Sequence, residues 1–213
     1  METADVIVIG GGVIGSACAY NLARAGMSVT LLEKYEIASG ASGGSAGGVR
    51  QQNRDPVELP LAMAANPMWK TLEHELETDL EYRRGGHLTL AEAEEQLLAL
   101  EASVQRQRTR GLDIRMVRGS ELRELVPAAG PQIIAVSYSP RDGFANPMLV
   151  TKAFAAAAGR FGARICTRTE VTSIRREANR VVGVDCSRGP IASRWVINAA
   201  GAWAPALSAG LGI

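Results

Sequence analysis

Gly10-Gly11-Gly12-Val13-Ile14-Gly15 fits the pattern G-x-G-x-x-G. Each glycine has a separate task in binding a pyrophosphate. Gly10 permits a tight turn, Gly12 lets the backbone approach the phosphates, and Gly15 lets a helix pack close to a sheet. A helix opening at Val13 and Ile14 would turn free N–H groups and its positive dipole end toward the same anion. Glu33 follows Gly15 by eighteen residues. A carboxylate there accepts hydrogen bonds from ribose hydroxyls and repels a 2′-phosphate. Together these residues predict a dinucleotide site. They do not separate FAD from NAD, because both carry an adenosine ribose.

The flanking elements suit such a site. Val6-Ile7-Val8-Ile9 reads as a strand buried on both faces, residues 13–25 as a helix stopped by Gly26, and Ser28–Leu32 as a second strand. Together they make one right-handed βαβ unit. Residues 38–48, ASGASGGSAGG, hold five glycines where loops gather around a ligand. Residues 57–82 are helical in pattern but broken by Pro60 and Pro67. After Gly85-Gly86 comes a strand at His87–Leu90, an amphipathic helix at 91–110 and a strand at Ile133–Tyr138. An Ala-rich helix at 148–160 leads into strands near 163–168, 170–176, 180–187 and 194–198, with a turn at Arg188-Gly189-Pro190.

Composition narrows the function. The chain has 213 residues, 46% of them hydrophobic, enough for one large domain or one domain and part of another. Charge is balanced at 23 Lys+Arg against 22 Asp+Glu, and the arginines are scattered among acids, which argues against nucleic acid as a partner. Cys18, Cys166 and Cys186 lack metal-site or disulfide spacing and read as buried, reduced thiols. No metal site is expected. The acidic N-terminus does not read as a signal peptide, and no apolar run nears the roughly 20 residues that span a bilayer. Neither secretion nor membrane association is indicated, and the expected location is the cytoplasm.

Six segments, taken in order, resemble the D-amino-acid-oxidase-like flavoproteins, nearest the sarcosine oxidase β-subunit, glycine oxidase and opine or proline dehydrogenase branch. They are Gly10–Gly15, Glu33-Lys34, Ser39–Gly44, Gly47-Gly48-Val49-Arg50, Asp142-Gly143 and Asn198–Ala204. The resemblance implies FAD as cofactor. It also implies an α/β fold: a Rossmann-like FAD-binding domain, with a parallel sheet, a βαβ unit and a β-meander, interrupted by part of an α+β substrate domain. The expected segments are 1–83 and 146–213 for the FAD domain and 84–145 for the excursion.

By the same resemblance, Gly10, Gly12, Val13, Ile14 and Gly15 match the pyrophosphate turn. Glu33 and Lys34 match the ribose end, and Ser42, Gly43, Gly44, Gly47 and Gly48 the loop along the diphosphate and ribityl chain. Val171 matches a backbone contact to adenine, and Ala199, Ala200, Gly201 and Trp203 a second loop closing over the cofactor. Arg50 falls where relatives place basic side chains near substrate, and a guanidinium can clamp a carboxylate with two hydrogen bonds. A surface arginine is the alternative. His87 reads more readily as a satisfied or exposed histidine than as a catalytic one, and His74 as surface. No histidine stands in Asp142–Pro147, so a flavin tethered there is not expected.

The implied activity is oxidation of the C–N bond of a small amino or imino acid or secondary amine, with hydride passing to flavin. Oxygen, a quinone or a partner subunit could be the acceptor. Members of that group run to nearly twice this length, so the chain reads as an N-terminal portion, expected to be inactive alone. A noncatalytic binding subunit and an NAD-dependent enzyme are the alternatives.

Overall fold

The computed structural model describes residues 2–212. The first elements are β1 (Glu2–Ile9), α1 (Val13–Arg24), β2 (Val29–Leu32), β3 (Gly48–Val49), α2 (Leu59–Ala65) and α3 (Trp69–Leu76). Then come β4 (His87–Ala91), α4 (Glu94–Arg108), β5 (Arg115–Arg118), α5 (Gly119–Leu125), β6 (Ala135–Ser139) and β7 (Gly143–Phe144). The chain ends with α6 (Pro147–Arg160), β8 (Arg164–Cys166), β9 (Val171–Glu177), β10 (Arg180–Cys186), β11 (Gly189–Asn198) and α7 (Ala204–Ala209). Among the described residues no helix is long and apolar enough to cross a membrane, and no cluster of three or more His, Cys, Asp or Glu could hold a metal.

The chain packs as two compact units. One takes Met1–Ala46, His74–Leu80 and Asn146–Ile213, and the other Gly47–Glu73 and Glu81–Ala145. The first is a six-stranded sheet in the order β8-β2-β1-β11-β10-β9. The β8, β2, β1 and β11 strands run parallel, and β11, β10 and β9 form an antiparallel meander. Parallel pairing explains why Val6, Ile7, Val8 and Ile9 are all buried, since such strands are covered on both faces. Tyr20 of α1 packs its ring against Phe154 of α6 and against Phe161 just beyond it, at 5.6 and 5.9 Å between centroids. A separate core joins Ile7, Ile9, Leu32, Val184 and Ile191 to Ala200 and Leu207. The residues on either side of β1 thereby fix where the strand ends, at Gly10.

The second unit centres on a three-stranded antiparallel sheet, β4-β6-β5, accompanied by the short β3–β7 pair. Leu59 of α2 packs with Val104, Leu112 and Ile114, which groups residues 47–73 with this unit rather than with the first segment.

Several local expectations need correction. The helix expected at 91–110 spans only Glu94–Arg108, because β4 continues to Ala91. The β5 and α5 elements were not anticipated: four residues are too few for alternation to show, and α5 opens at Gly119, whose φ is +60°. Pro190 is not in a turn but pairs with Asp185 inside β11. Cys186 is buried, its thiol against the Gly189 carbonyl, but Cys18 and Cys166 are only partly buried.

Candidate dinucleotide site

The site is built where β1 gives way to α1. Gly10 has φ +106°, and a Cβ there would lie 2.5 Å from the Ala199 carbonyl oxygen, so only glycine fits. Its N–H donates to the Leu32 carbonyl, and the Ala199 N–H donates to the Ile9 carbonyl. A Cβ on Gly15 would lie 1.9 Å from the Gly10 carbonyl oxygen. These two glycines are demanded by the protein's own packing, which draws helix, turn and the 199–201 loop together.

Gly12 is different. Its φ and ψ of −76° and 178° suit any residue, and a Cβ would meet only the Ser42 hydroxyl, at 3.1 Å. The surrounding protein has no strict need of glycine there, whereas a ligand passing the helix start would. Gly12 also gives α1 no side-chain cap. The Ser42 hydroxyl accepts from the Val13 N–H at 2.9 Å, which sets the glycine-serine loop against the first turn. The Gly43 N–H donates to the Gly40 carbonyl, a Cβ on Gly43 would run into the Ala38 carbonyl oxygen, and Gly44 lies exposed beyond it. Ile14 is 66% exposed beside these groups. A helix start with no cap from its own N-cap residue, an open glycine and an exposed apolar side chain fit a phosphate-bearing ligand.

Glu33 directly follows β2 and has both carboxylate oxygens engaged: the Gly11 N–H donates to one at 2.6 Å and the Tyr35 N–H to the other at 2.7 Å. Gly11 was not singled out from the sequence, although three consecutive glycines were the signal. A Cβ there would meet Ile37 at 2.6 Å and Glu33 at 3.0 Å. Each carboxylate oxygen accepts more than one hydrogen bond, so Glu33 is aimed by the backbone and keeps capacity for hydroxyls. Lys34 pairs with Glu170 at 2.8 Å, a hydrogen bond that raises its pKa above the ordinary 10.5. The Glu33 carbonyl accepts from the Thr169 N–H, bringing the buried Val171 at the start of β9 into this neighbourhood. Asn198, also missed, donates to the Ala204 carbonyl at 2.9 Å and the Ser208 hydroxyl at 3.0 Å, steadying the 199–203 loop. Trp203 in that loop is 67% exposed.

The first unit thus brings together Gly10, Gly12, Val13, Ile14, Gly15, Glu33, Ser42 and Ala199. Gly47, Gly48 and Arg50 belong to the second unit. There the segment after β3 is pinned by Asp142, which is fully buried. One Asp142 oxygen accepts from the Gln51 N–H and the Gln51 amide, each at 2.9 Å, and the other from the Gln52 N–H at 3.2 Å. Arg50 precedes this anchor and is half-buried.

The chain is 29% identical over 203 residues to the mitochondrial pyruvate dehydrogenase phosphatase regulatory subunit of Mus musculus, covering 94% of this chain and 23% of that protein. It is 31% identical over 220 residues to glycine oxidase of Bacillus licheniformis, covering 98% of this chain and 57% of the relative. The crystal structure of L-proline dehydrogenase from P. horikoshii superimposes with a TM-score of 0.91 at 32% identity, over all of this chain and 56% of that one. The chain therefore spans little more than half the length of these relatives, or less. A sequence profile described as FAD dependent oxidoreductase matches residues 5–213, and the chain belongs to that family of flavin-dependent oxidoreductases.

Proposed function

We propose that this chain is the FAD-holding part of an oxidoreductase that oxidises the C–N bond of a small amino or imino acid or secondary amine. The observation that carries the cofactor reading is Gly12, a glycine for which packing gives no strict reason at the open start of α1. The α1 N–H groups beside Gly12 would take the pyrophosphate. Glu33 would accept the ribose hydroxyls, with Lys34 and Val171 flanking the adenosine end. Ser42, Gly43 and Gly44 would line the diphosphate and ribityl chain, and Ala199, Ala200, Gly201 and Trp203 would close over the cofactor. Bound flavin supplies the two-electron acceptor; the protein's part is to hold it and to orient substrate. Arg50 is the proposed partner for a substrate carboxylate. Glycine oxidase and L-proline dehydrogenase, by their names, support a small amino-acid substrate.

The test is to load with FAD the whole oxidoreductase of which this chain is proposed to be the FAD-holding part, and to add glycine, sarcosine, L-proline or D-alanine anaerobically. Bleaching of the flavin band by one of them supports the reading. Tight flavin binding with no bleaching by any amine would favour a second reading, a noncatalytic flavin-binding subunit. The similarity to a protein named as a regulatory subunit supports that alternative.

A further inference from the structure

Residues 51–53 are fastened at every position by side chains distant in sequence. Asp142 accepts from the Gln51 N–H, the Gln51 amide and the Gln52 N–H. The Asn53 N–H donates to the Gln107 amide oxygen at 2.6 Å, and the Asn53 amide donates to the Thr89 hydroxyl at 2.8 Å. Between these anchors the fully buried Gln52 side chain reaches His87 on β4 and Ser137 on β6. In this set, histidine is the residue type whose charge ordinarily changes between about pH 5 and 8.

The contact between Gln52 and His87 suits one protonation state. The Gln52 amide nitrogen lies 2.6 Å from the His87 carbonyl oxygen and 2.6 Å from His87 Nδ1. A carbonyl oxygen can only accept, so the Gln52 group facing it is NH2, and Nδ1 beside it must be bare. Turning the amide over gives no escape to a proton on Nδ1. It would set the Gln52 oxygen against the His87 carbonyl, acceptor against acceptor, and remove the acceptor that the Ser137 hydroxyl meets at 2.9 Å. The ring is half-buried, so protons from solvent reach it. The charges acting on it are Arg50 and Asp142; Ser139, opposite on β6, is uncharged, and residues 51–53 bring only amides. Burial first and the Arg50 charge second hold His87 below its ordinary 6.5, with Asp142 opposing them.

We propose that Gln52 and His87 form a pH-operated latch on residues 51–53. With His87 neutral, Gln52 closes the segment against β4 and β6. A proton on Nδ1 sets donor against donor and frees the Gln52 side chain. Asp142 and Gln107 still hold the backbone on either side, so the release loosens the segment without unfolding the unit. The latch is fully closed above about pH 6.5 and opens as pH falls through the lower folded value of His87. It lies wholly within the second unit and needs neither flavin nor substrate.

Two-dimensional 1H–15N spectra of the imidazole rings and backbone amides of the 213-residue chain test the latch, since His74 and His87 are its only histidines. At about pH 7.5, His87 should show a bare Nδ1 and a protonated Nε2. Between about pH 7.5 and 5, the protection of the Gln52 and Asn53 amides, corrected for intrinsic exchange, should fall about fivefold or more, the worth of one hydrogen bond. The fall should share the midpoint of the His87 ring. Amides of β1 and β2, in the other unit, should keep their protection. His87→Gln should flatten the pH dependence at residues 52 and 53, and Gln52→Met should raise the His87 midpoint toward 6.5. A proton on Nδ1 at pH 7.5, or unchanged protection at residues 52 and 53 while the ring titrates, would overturn the proposal. Both results come from the unsubstituted chain, whatever the variants do. A His87 midpoint that stays in place in Gln52→Met would overturn it as well. No flavin is present, so failure here is distinct from failure of the cofactor reading.

Discussion

Replacing Asp142 puts a number on how firmly the Arg50 segment is held. Its carboxylate accepts three hydrogen bonds, two from Gln51 and one from the Gln52 N–H. The side chain is fully buried, so water does not readily replace them. Asp142→Ala strands three donors, each at a cost of about 1–3 kcal/mol, for a sum of roughly 3–9 kcal/mol. Since domains are stable by only about 5–15 kcal/mol, the variant's second unit should sit near or past unfolding. Asp142→Asn keeps the shape and one acceptor oxygen. That oxygen can serve both Gln51 donors while the new amide meets the Gln52 N–H, so about 1–3 kcal/mol should be lost. In a domain near 100 residues, each kcal/mol lowers Tm by roughly 4–8 °C. Trp69, packed against Tyr82 at 5.5 Å between ring centroids, reports on this unit once Trp195 and Trp203 are replaced by Phe. Urea titration of that fluorescence should rank parent above Asn above Ala. A cost below about 0.5 kcal/mol for the Ala variant, or equal costs for both, would refute the reasoning.

Three further outcomes follow from the geometry. Gly15→Ala forces a methyl to within 1.9 Å of the Gly10 carbonyl, and should cost at least about 1–3 kcal/mol in urea unfolding of the first unit. Glu33→Ala removes the acceptor for the Gly11 and Tyr35 N–H groups together with the proposed ribose contact. FAD affinity should fall about tenfold or more by flavin fluorescence titration, whereas Lys34→Ala, which breaks an exposed ion pair, should leave stability nearly unchanged. His87 titrates below its ordinary 6.5, so the unfolded chain takes up that proton more readily. Its contribution to stability should be full above about pH 6.5 and be lost as pH falls through the depressed folded value. His87→Gln should remove that part of the pH dependence in urea midpoints measured between pH 7 and 4.

The glycine turn between β1 and α1 was legible because its determinants are local. A continuous apolar run, glycines at fixed offsets and a carboxylate at the end of the next strand all lie within residues 6–33. The role of Gly11 was open to view in the same triplet, but spacing alone cannot say which glycines face the protein and which face a ligand. The Asp142 anchor was hidden for a different reason. Its partners lie 90 and 91 residues away in sequence, and a buried Asp after a strand looks no different from a turn Asp until the chain is folded. The β5–α5 pair escaped because four residues carry no readable period. Pro190 misled because proline usually marks a turn, yet here it occupies β11 directly opposite Asp185.

The central claim is that a flavin dinucleotide passes Gly12 at the start of α1. The most direct test is to incubate the chain and its Gly12→Val variant with FAD, remove free ligand by gel filtration and record the visible spectrum. Since a Cβ at Gly12 meets only the Ser42 hydroxyl, at 3.1 Å, the variant should remain folded by circular dichroism. The account predicts flavin bands that travel with the parent and are missing from the folded variant. A folded parent that emerges colourless, or a variant that keeps as much flavin as the parent, would contradict it.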